Sequence, residues 1–123
     1  MSRHSTEVSL RQMLEHAQEA MELARGRVRS DLDSDRVISL AVTRLLEIVG
    51  EAAARVPEED RERAGDIPWM HVVGLRNRLI HGYDMIDHDI VWQVLTADLP
   101  ALVEALKRHL QDRERARPEE EPG

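Results

Sequence analysis

An all-α bundle is predicted by three features of this 123-residue chain. Apolar residues recur at steps of three and four along successive stretches, the period of a helix face. Trp69, Trp92 and Tyr83 are the only aromatics, so the core falls to Leu, Val, Ile, Ala and Met, which together favour helices over strands. The length suits one domain burying roughly two thirds of its unfolded surface, with no room for a second core. The expected architecture is an antiparallel bundle of four to five helices over residues 1–112. A charged, disordered tail is expected at 113–123, because beyond Leu110 the only apolar residue is Ala116.

The first helix is predicted from about Ser5 to Arg25. Leu10, Leu14, Ala17, Met21 and Ala24 form its stripe, Ser5 or Thr6 its cap and Gly26 its stop. After the polar link RGRVRSDLD, a second helix is expected from Ser34 to about Val56, with Asp35 in a first turn whose dipole suits a carboxylate. Its apolar arc is wide, from Val37 to Ala53, which predicts a central position. Gly50 and Ala52 to Ala54 permit close helix approach, inside the bundle or across a dimer. Glu51 reads either as a buried acid facing a site or as an exposed residue.

Pro57 ends that helix, and PEEDRERAGDI reads as a polar connector with room for one helical turn. A third helix follows Asp66, with Pro68 near its first turn, the apolar line Val72, Leu75 and Leu79, and Gly82 as its stop. The fourth starts at Asp87 or Asp89. At Asp98-Leu99-Pro100 the proline costs a helical hydrogen bond, which predicts a kink or a restart with Asp98 as cap and Pro100 in the first turn, before Leu102, Val103, Leu106 and Leu110 continue the stripe.

A formal net charge of −7 argues against broad electrostatic binding to nucleic acid, which needs many cations to release counterions, but leaves room for a local phosphate site at Arg76 and Arg78. The absence of cysteine excludes disulfides and thiolate metal sites. No apolar run approaches the roughly eighteen residues of a membrane span, and the first ten residues lack the apolar core of a signal peptide, so a cytoplasmic, membrane-free protein is expected.

The stretch RNRLIHGYD, Arg76 to Asp84, gathers polar groups between two apolar, firmly held segments. On an ideal helix Arg76 and His81 diverge by about 140°, whereas Asn77 and His81 share a face. The first pair can flank a cleft only if the helix unwinds before His81 or if two copies of the chain pool their side chains. Arginine offers a planar fork to phosphate, and histidine moves protons. RNA carries its own nucleophile, the 2′-OH, so phosphodiester cleavage by Arg76, Asn77 and His81 needs neither a metal nor a cofactor.

Arg76, His81 and Tyr83 fit an R-x4-H-x-Y pattern. The surrounding LLEIVGEAAARV, PWMHVVGLRNRLIHGYDMID and DIVWQVLTADLPALVEAL resemble, in the same order, segments of HEPN-domain toxins of the HepT type, over about Leu10 to Leu110. The resemblance implies a homodimeric HEPN bundle with the two motifs facing each other across a cleft. It implies a metal-independent endoribonuclease toxin of a type VII toxin–antitoxin pair, with Arg76 and His81 as catalytic pair and Asn77 beside them. The implied partners are RNA, a second copy of the chain and an MntA-type nucleotidyltransferase antitoxin, which transfers AMP to Tyr83 and so blocks the site.

Two other readings compete. His81, Asp84, Asp87, His88 and Asp89 together supply metal-type donors, but the H-x-x-x-H and E-x-x-H spacings that place two ligands on one helix face are missing, and the aspartates read better as turn formers and helix caps, one of them orienting His81 or Arg76. A non-catalytic HEPN dimer that only docks a nucleotidyltransferase is the alternative to the enzyme. Trp69 and Trp92 read as core or interface anchors, and His71, His88 and His109 as surface residues.

Overall fold

The computed structural model describes residues 3–82 and 85–117. Over these the chain is helical apart from one short hairpin, in agreement with the all-α expectation. Helix α1 (Arg3–Ala24) lies against α3 (Arg36–Ala54) and α8 (Leu99–Ala116), and these three long helices carry most of the core. Met13, Leu46, Leu79, Leu99 and Leu106 are fully buried at its centre.

Gly26, at φ +74°, ends α1 as its sequence position predicts, because only glycine enters the left-handed region without a Cβ penalty. The start of α1 differs from expectation. The helix begins at Arg3, so Thr6 lies inside it, and its hydroxyl donates to Asp60 Oδ2 at 2.7 Å instead of capping. Glu7, also buried, pairs with Arg117, so polar side chains near one end of the bundle are satisfied by α4 (Glu58–Arg63) and the end of α8.

The predicted link between the first two long helices contains a helical turn, α2 (Asp31–Ser34). Asp35 is the N-cap of α3, not a first-turn residue: its side chain accepts from the Ile38 N–H at 3.1 Å. Helix α3 is central, touching α1, α2, α5 (Trp69–Val73), α6 (Leu75–Leu79) and α7 (His88–Gln93). Gly50 is a point of close approach inside the bundle, since a Cβ there would sit 2.9 Å from the Val72 carbonyl oxygen. Glu51 is exposed and pairs with Arg44 at 3.2 Å, so it is not a buried acid.

The third predicted helix is two short ones, α5 and α6, separated by Gly74 at φ −82°, ψ 4°. It ends at Leu79, earlier than expected. Ile80–His81 (β1) then pairs antiparallel with Met85–Ile86 (β2), Ile80 opposite Ile86 and His81 opposite Met85. Gly82, at φ +72°, therefore serves the hairpin turn and not a helix stop. Tyr83 and Asp84 lie outside the described residues.

Helix α8 restarts at Leu99 with Pro100 in its first turn, as one of the two expectations has it, but without a side-chain cap from Asp98. Helix α7 passes through a π-helical turn, Val94–Asp98, into α8, and Asp98 has helical φ and ψ with no side-chain cap. Pro100 has no N–H to give the carbonyl four residues back, and the widened turn carries the chain past that gap, with Leu99 N–H bonded to Val94 O. Helix α8 then continues through Arg113–Ala116, past the end of the apolar stripe, with Arg113 near Asp60 at 3.9 Å. Among the described residues no helix is long and apolar enough to cross a membrane.

Candidate functional site

Helix α6 and strand β1 carry the polar cluster, and both rest on buried apolar neighbours. Leu75 and Leu79 face the core, which turns Arg76 and Asn77 out to solvent. Arg76 is 73% exposed, and its Nε lies 3.7 Å from Oε2 of Glu47, a residue of α3 whose side chain is 15% exposed. The guanidinium fork is thus left open on the solvent side. Glu47 is shared with Arg44 at 3.9 Å, so the acid beside Arg76 holds two cations.

His81 leaves the helix and stands on β1, so it no longer shares a helical face with Asn77, and the 140° separation from Arg76 does not apply. Its side chain is 63% exposed, and Nε2 lies 3.0 Å from Asp87 Oδ2. The other oxygen of Asp87 accepts from the Ile90 N–H at 3.1 Å and caps α7, while the Asp87 N–H donates to Leu79 O at 2.7 Å. The Ile90 N–H above all, and then His81, hold the Asp87 carboxyl below the usual carboxylate range. One aspartate therefore joins the hairpin, the end of α6 and the start of α7.

Behind this junction His88 is clamped. Its Nδ1 lies 2.8 Å from Asp33 Oδ1 and its Nε2 2.9 Å from the Ser39 hydroxyl, and Arg29 bridges Asp33 and Asp89. The His88 ring, followed by Arg29, holds the Asp33 carboxyl below its ordinary value. His88 and His109 are half-buried at the surface and bonded to aspartates, and His71 is exposed. Of the donors in the metal reading, His81 and Asp87 meet, whereas His88 and Asp89 are directed to Asp33, Ser39 and Arg29, and Asp84 lies outside the described residues. Among the described residues no cluster of three such groups could hold an ion.

Arg78, which the sequence offers beside Arg76 for one phosphate, is turned to the opposite side of α6, where it faces Asp98 at 3.8 Å. That pair lines a groove of about 370 Å³ between α5–α6 and the start of α8, and neither Arg76 nor His81 lines it. Glu47 is not among the residues the sequence points to; its one signal is a charge inside the otherwise apolar run LLEIVG, one turn before Glu51.

Trp69 is buried, its ring N–H donating to the Arg61 and Ala64 carbonyls at 3.1 Å each, and Trp92 is half-buried, as expected of anchors. The site is thus an exposed arginine and an exposed histidine, each tied to its own carboxylate, on a segment held by three helices.

Comparison with known proteins places the helical domain in one family. The family described as ribonuclease HepT-like matches residues 13–109. The chain belongs to this HepT-like ribonuclease family. It is 33% identical over 102 residues to a protein named "Putative RNase" from Caldanaerobacter subterraneus subsp. tengcongensis, covering 83% of this chain and 91% of that one. It is 34% identical over 93 residues to "Probable ribonuclease HepT" of Thermococcus cleftensis, covering 72% and 84% of the two chains. A "Putative RNase" of Methanocaldococcus jannaschii is 34% identical over 102 residues, covering 83% and 94%. No solved structure matches the chain.

Proposed function

We propose that the chain is a metal-independent endoribonuclease toxin, acting as a homodimer in which two copies of the Arg76–His81 segment face one RNA strand. The observation that carries this reading is the placement of Arg76 and His81, both exposed and each held by a carboxylate on a family-matched scaffold. The open fork of Arg76 binds the scissile phosphate and stabilises the charge that builds on its oxygens. Asn77, exposed beside it, adds a polar contact.

His81 takes the proton of the RNA 2′-OH. The 2′-oxygen bonds to phosphorus, the bond from phosphorus to the 5′-oxygen breaks, and the leaving oxygen is protonated by the second copy's imidazolium or by water. The products are a 2′,3′-cyclic phosphate and a 5′-hydroxyl. The negative surface charge keeps contacts with RNA local and short-lived.

The regulatory half of the proposal is AMP transfer to Tyr83 by an MntA-type nucleotidyltransferase antitoxin, as in a type VII pair. An adenylate two residues from His81 would place a phosphate and a nucleoside where the RNA strand must lie.

Product-end analysis tests the mechanism. With a chelator present, fragments should carry 5′-hydroxyl and cyclic phosphate ends, and fragments carrying 5′-phosphate would show that the 2′-OH is not the nucleophile.

A further inference from the structure

We propose that Asp87 is a positioning residue that fixes His81 in the tautomer protonated at Nε2, leaving Nδ1 as the nitrogen that meets the substrate. The inference rests on the ribonuclease reading for its role in catalysis, but its geometric part stands by itself.

Among the described residues Asp87 is the charged group bonded to His81. An ionised carboxylate can only accept, so the ring nitrogen facing Asp87 Oδ2 at 3.0 Å must be the donor, and that nitrogen is Nε2. The proton on a neutral imidazole is then committed to Nε2, and the lone pair is on Nδ1. The carboxylate would also stabilise the imidazolium formed once Nδ1 has taken a proton.

Asp87 is built to hold this orientation. Its second oxygen is occupied by the Ile90 N–H, its own N–H by Leu79 O, and the next residue, His88, is clamped by Asp33 and Ser39. The carboxylate cannot swing away without uncapping α7. Asp87 itself is half-buried while His81 is exposed, so support lies behind the histidine and the reactive side is open.

Asparagine separates the capping role from the positioning role, because it caps helices as well as aspartate does. In Asp87→Asn the amide oxygen keeps the Ile90 N–H, which turns the NH₂ toward His81. A donor then faces Nε2, and the neutral ring must carry its proton on Nδ1. The precedent for such a reversal is the asparagine substitution in the serine protease triad, where geometry survives and the wrong tautomer costs the rate.

The experiment is ¹⁵N NMR of the His81 ring in the full-length protein, wild type and Asp87→Asn, with RNA cleavage, helix content and melting measured on the same samples. The expected result is an Nε2–H ring in wild type, an Nδ1–H ring in the variant, and cleavage reduced about a hundredfold or more with the fold intact. Asp87→Ser, which keeps a capping hydroxyl and removes the carboxylate, should give a mixture of tautomers if Asp87→Asn is unstable. A wild-type ring protonated mainly at Nδ1, or a tautomer unchanged by both substitutions, overturns the proposal. A tautomer switch in a chain that cleaves no RNA supports the positioning role and removes the ribonuclease reading alone.

Discussion

Oε2 of Glu47 lies 3.7 Å from Nε of Arg76, joining the central helix α3 to the short helix that carries the candidate site. The pair is separated by a distance typical of a loose ion pair and Arg76 is largely exposed, so its worth to folding is small. Its worth to function is orientation. With the carboxylate on the Nε side and the side chain largely exposed, Glu47 biases the guanidinium so that its terminal nitrogens are free for phosphate. Glu47→Gln should therefore leave the melting temperature nearly unchanged while lowering kcat/KM for RNA about three- to tenfold. An unchanged or raised kcat/KM would show that the acid merely repels the substrate.

Gly50 tests the seam between α3 and α5. Alanine there gains up to about 1 kcal/mol of helix propensity. It also places a Cβ 2.9 Å from a backbone carbonyl, which cannot move as a side chain can, and overpacking of this kind costs about 1–3 kcal/mol. The second effect wins, so Gly50→Ala should destabilise the protein by about 1 kcal/mol, read as a lowered midpoint in denaturant. A midpoint at or above wild type would mean that the seam opens without cost.

Arg61 closes the end of α3. Its Nε donates to Val56 O at 2.9 Å and its terminal nitrogen reaches Ala54 O at 3.3 Å and Ala53 O at 3.4 Å, while the guanidinium lies 5.8 Å from the centre of the Trp69 ring. Ala53 and Ala54 are the last residues of α3 and Val56 lies just beyond it, so the guanidinium closes the carbonyl end of the helix, where a cation also suits the dipole. Arg61→Ala should cost about 2–3 kcal/mol by loss of charged hydrogen bonds. Lysine should recover less than half of this loss, because it lacks the planar fork, and full recovery would assign the effect to charge alone.

Acid should loosen the protein through Asp33, Asp66 and Asp87. Each carboxyl is held below its ordinary value, Asp33 chiefly by His88, Asp66 chiefly by His109 and Asp87 chiefly by the Ile90 N–H. A depressed folded-state value means that the stabilisation is fully present above the unfolded carboxylate range, near 4, and is lost as pH falls through the lower folded values. Melting temperature should accordingly fall below about pH 4, and Asp66→Asn should flatten part of that fall. A wild-type melting temperature that does not decrease below pH 4 would contradict these assignments.

Local signals carried much of the fold. Gly26 stops α1 and Gly50 permits a close approach because both requirements are read from one residue and its neighbours. The central place of α3 followed from an apolar arc too wide for a single contact. The features that escaped depend on partners distant in sequence or space. Thr6 looks like a cap until Asp60 is brought beside it, and Glu47 acquires a role only when α6 packs on α3. The helical period continues through Ile80 and His81, yet both pair with Met85 and Ile86 and leave the helix. Proline at 100 announced a disturbance, but whether a kink, a restart or a π turn answers it is decided by packing. At the site, Arg76 and His81 were legible as residues and Asp87 as one of the aspartates that could orient them, whereas Glu47 was not.

The proposed function makes Arg76 and His81 a metal-independent RNA-cleaving centre. Its most direct test is cleavage of RNA by purified wild type, Arg76→Ala and His81→Ala with a chelator present, after intact mass has shown that Tyr83 carries no adenylate. Cleavage by wild type is expected, with losses of about a hundredfold or more in both variants and melting temperatures preserved. Cleavage retained in His81→Ala, activity abolished by the chelator, or an unmodified wild-type dimer that is inert would each contradict it, the last in favour of a dimer that only docks a nucleotidyltransferase.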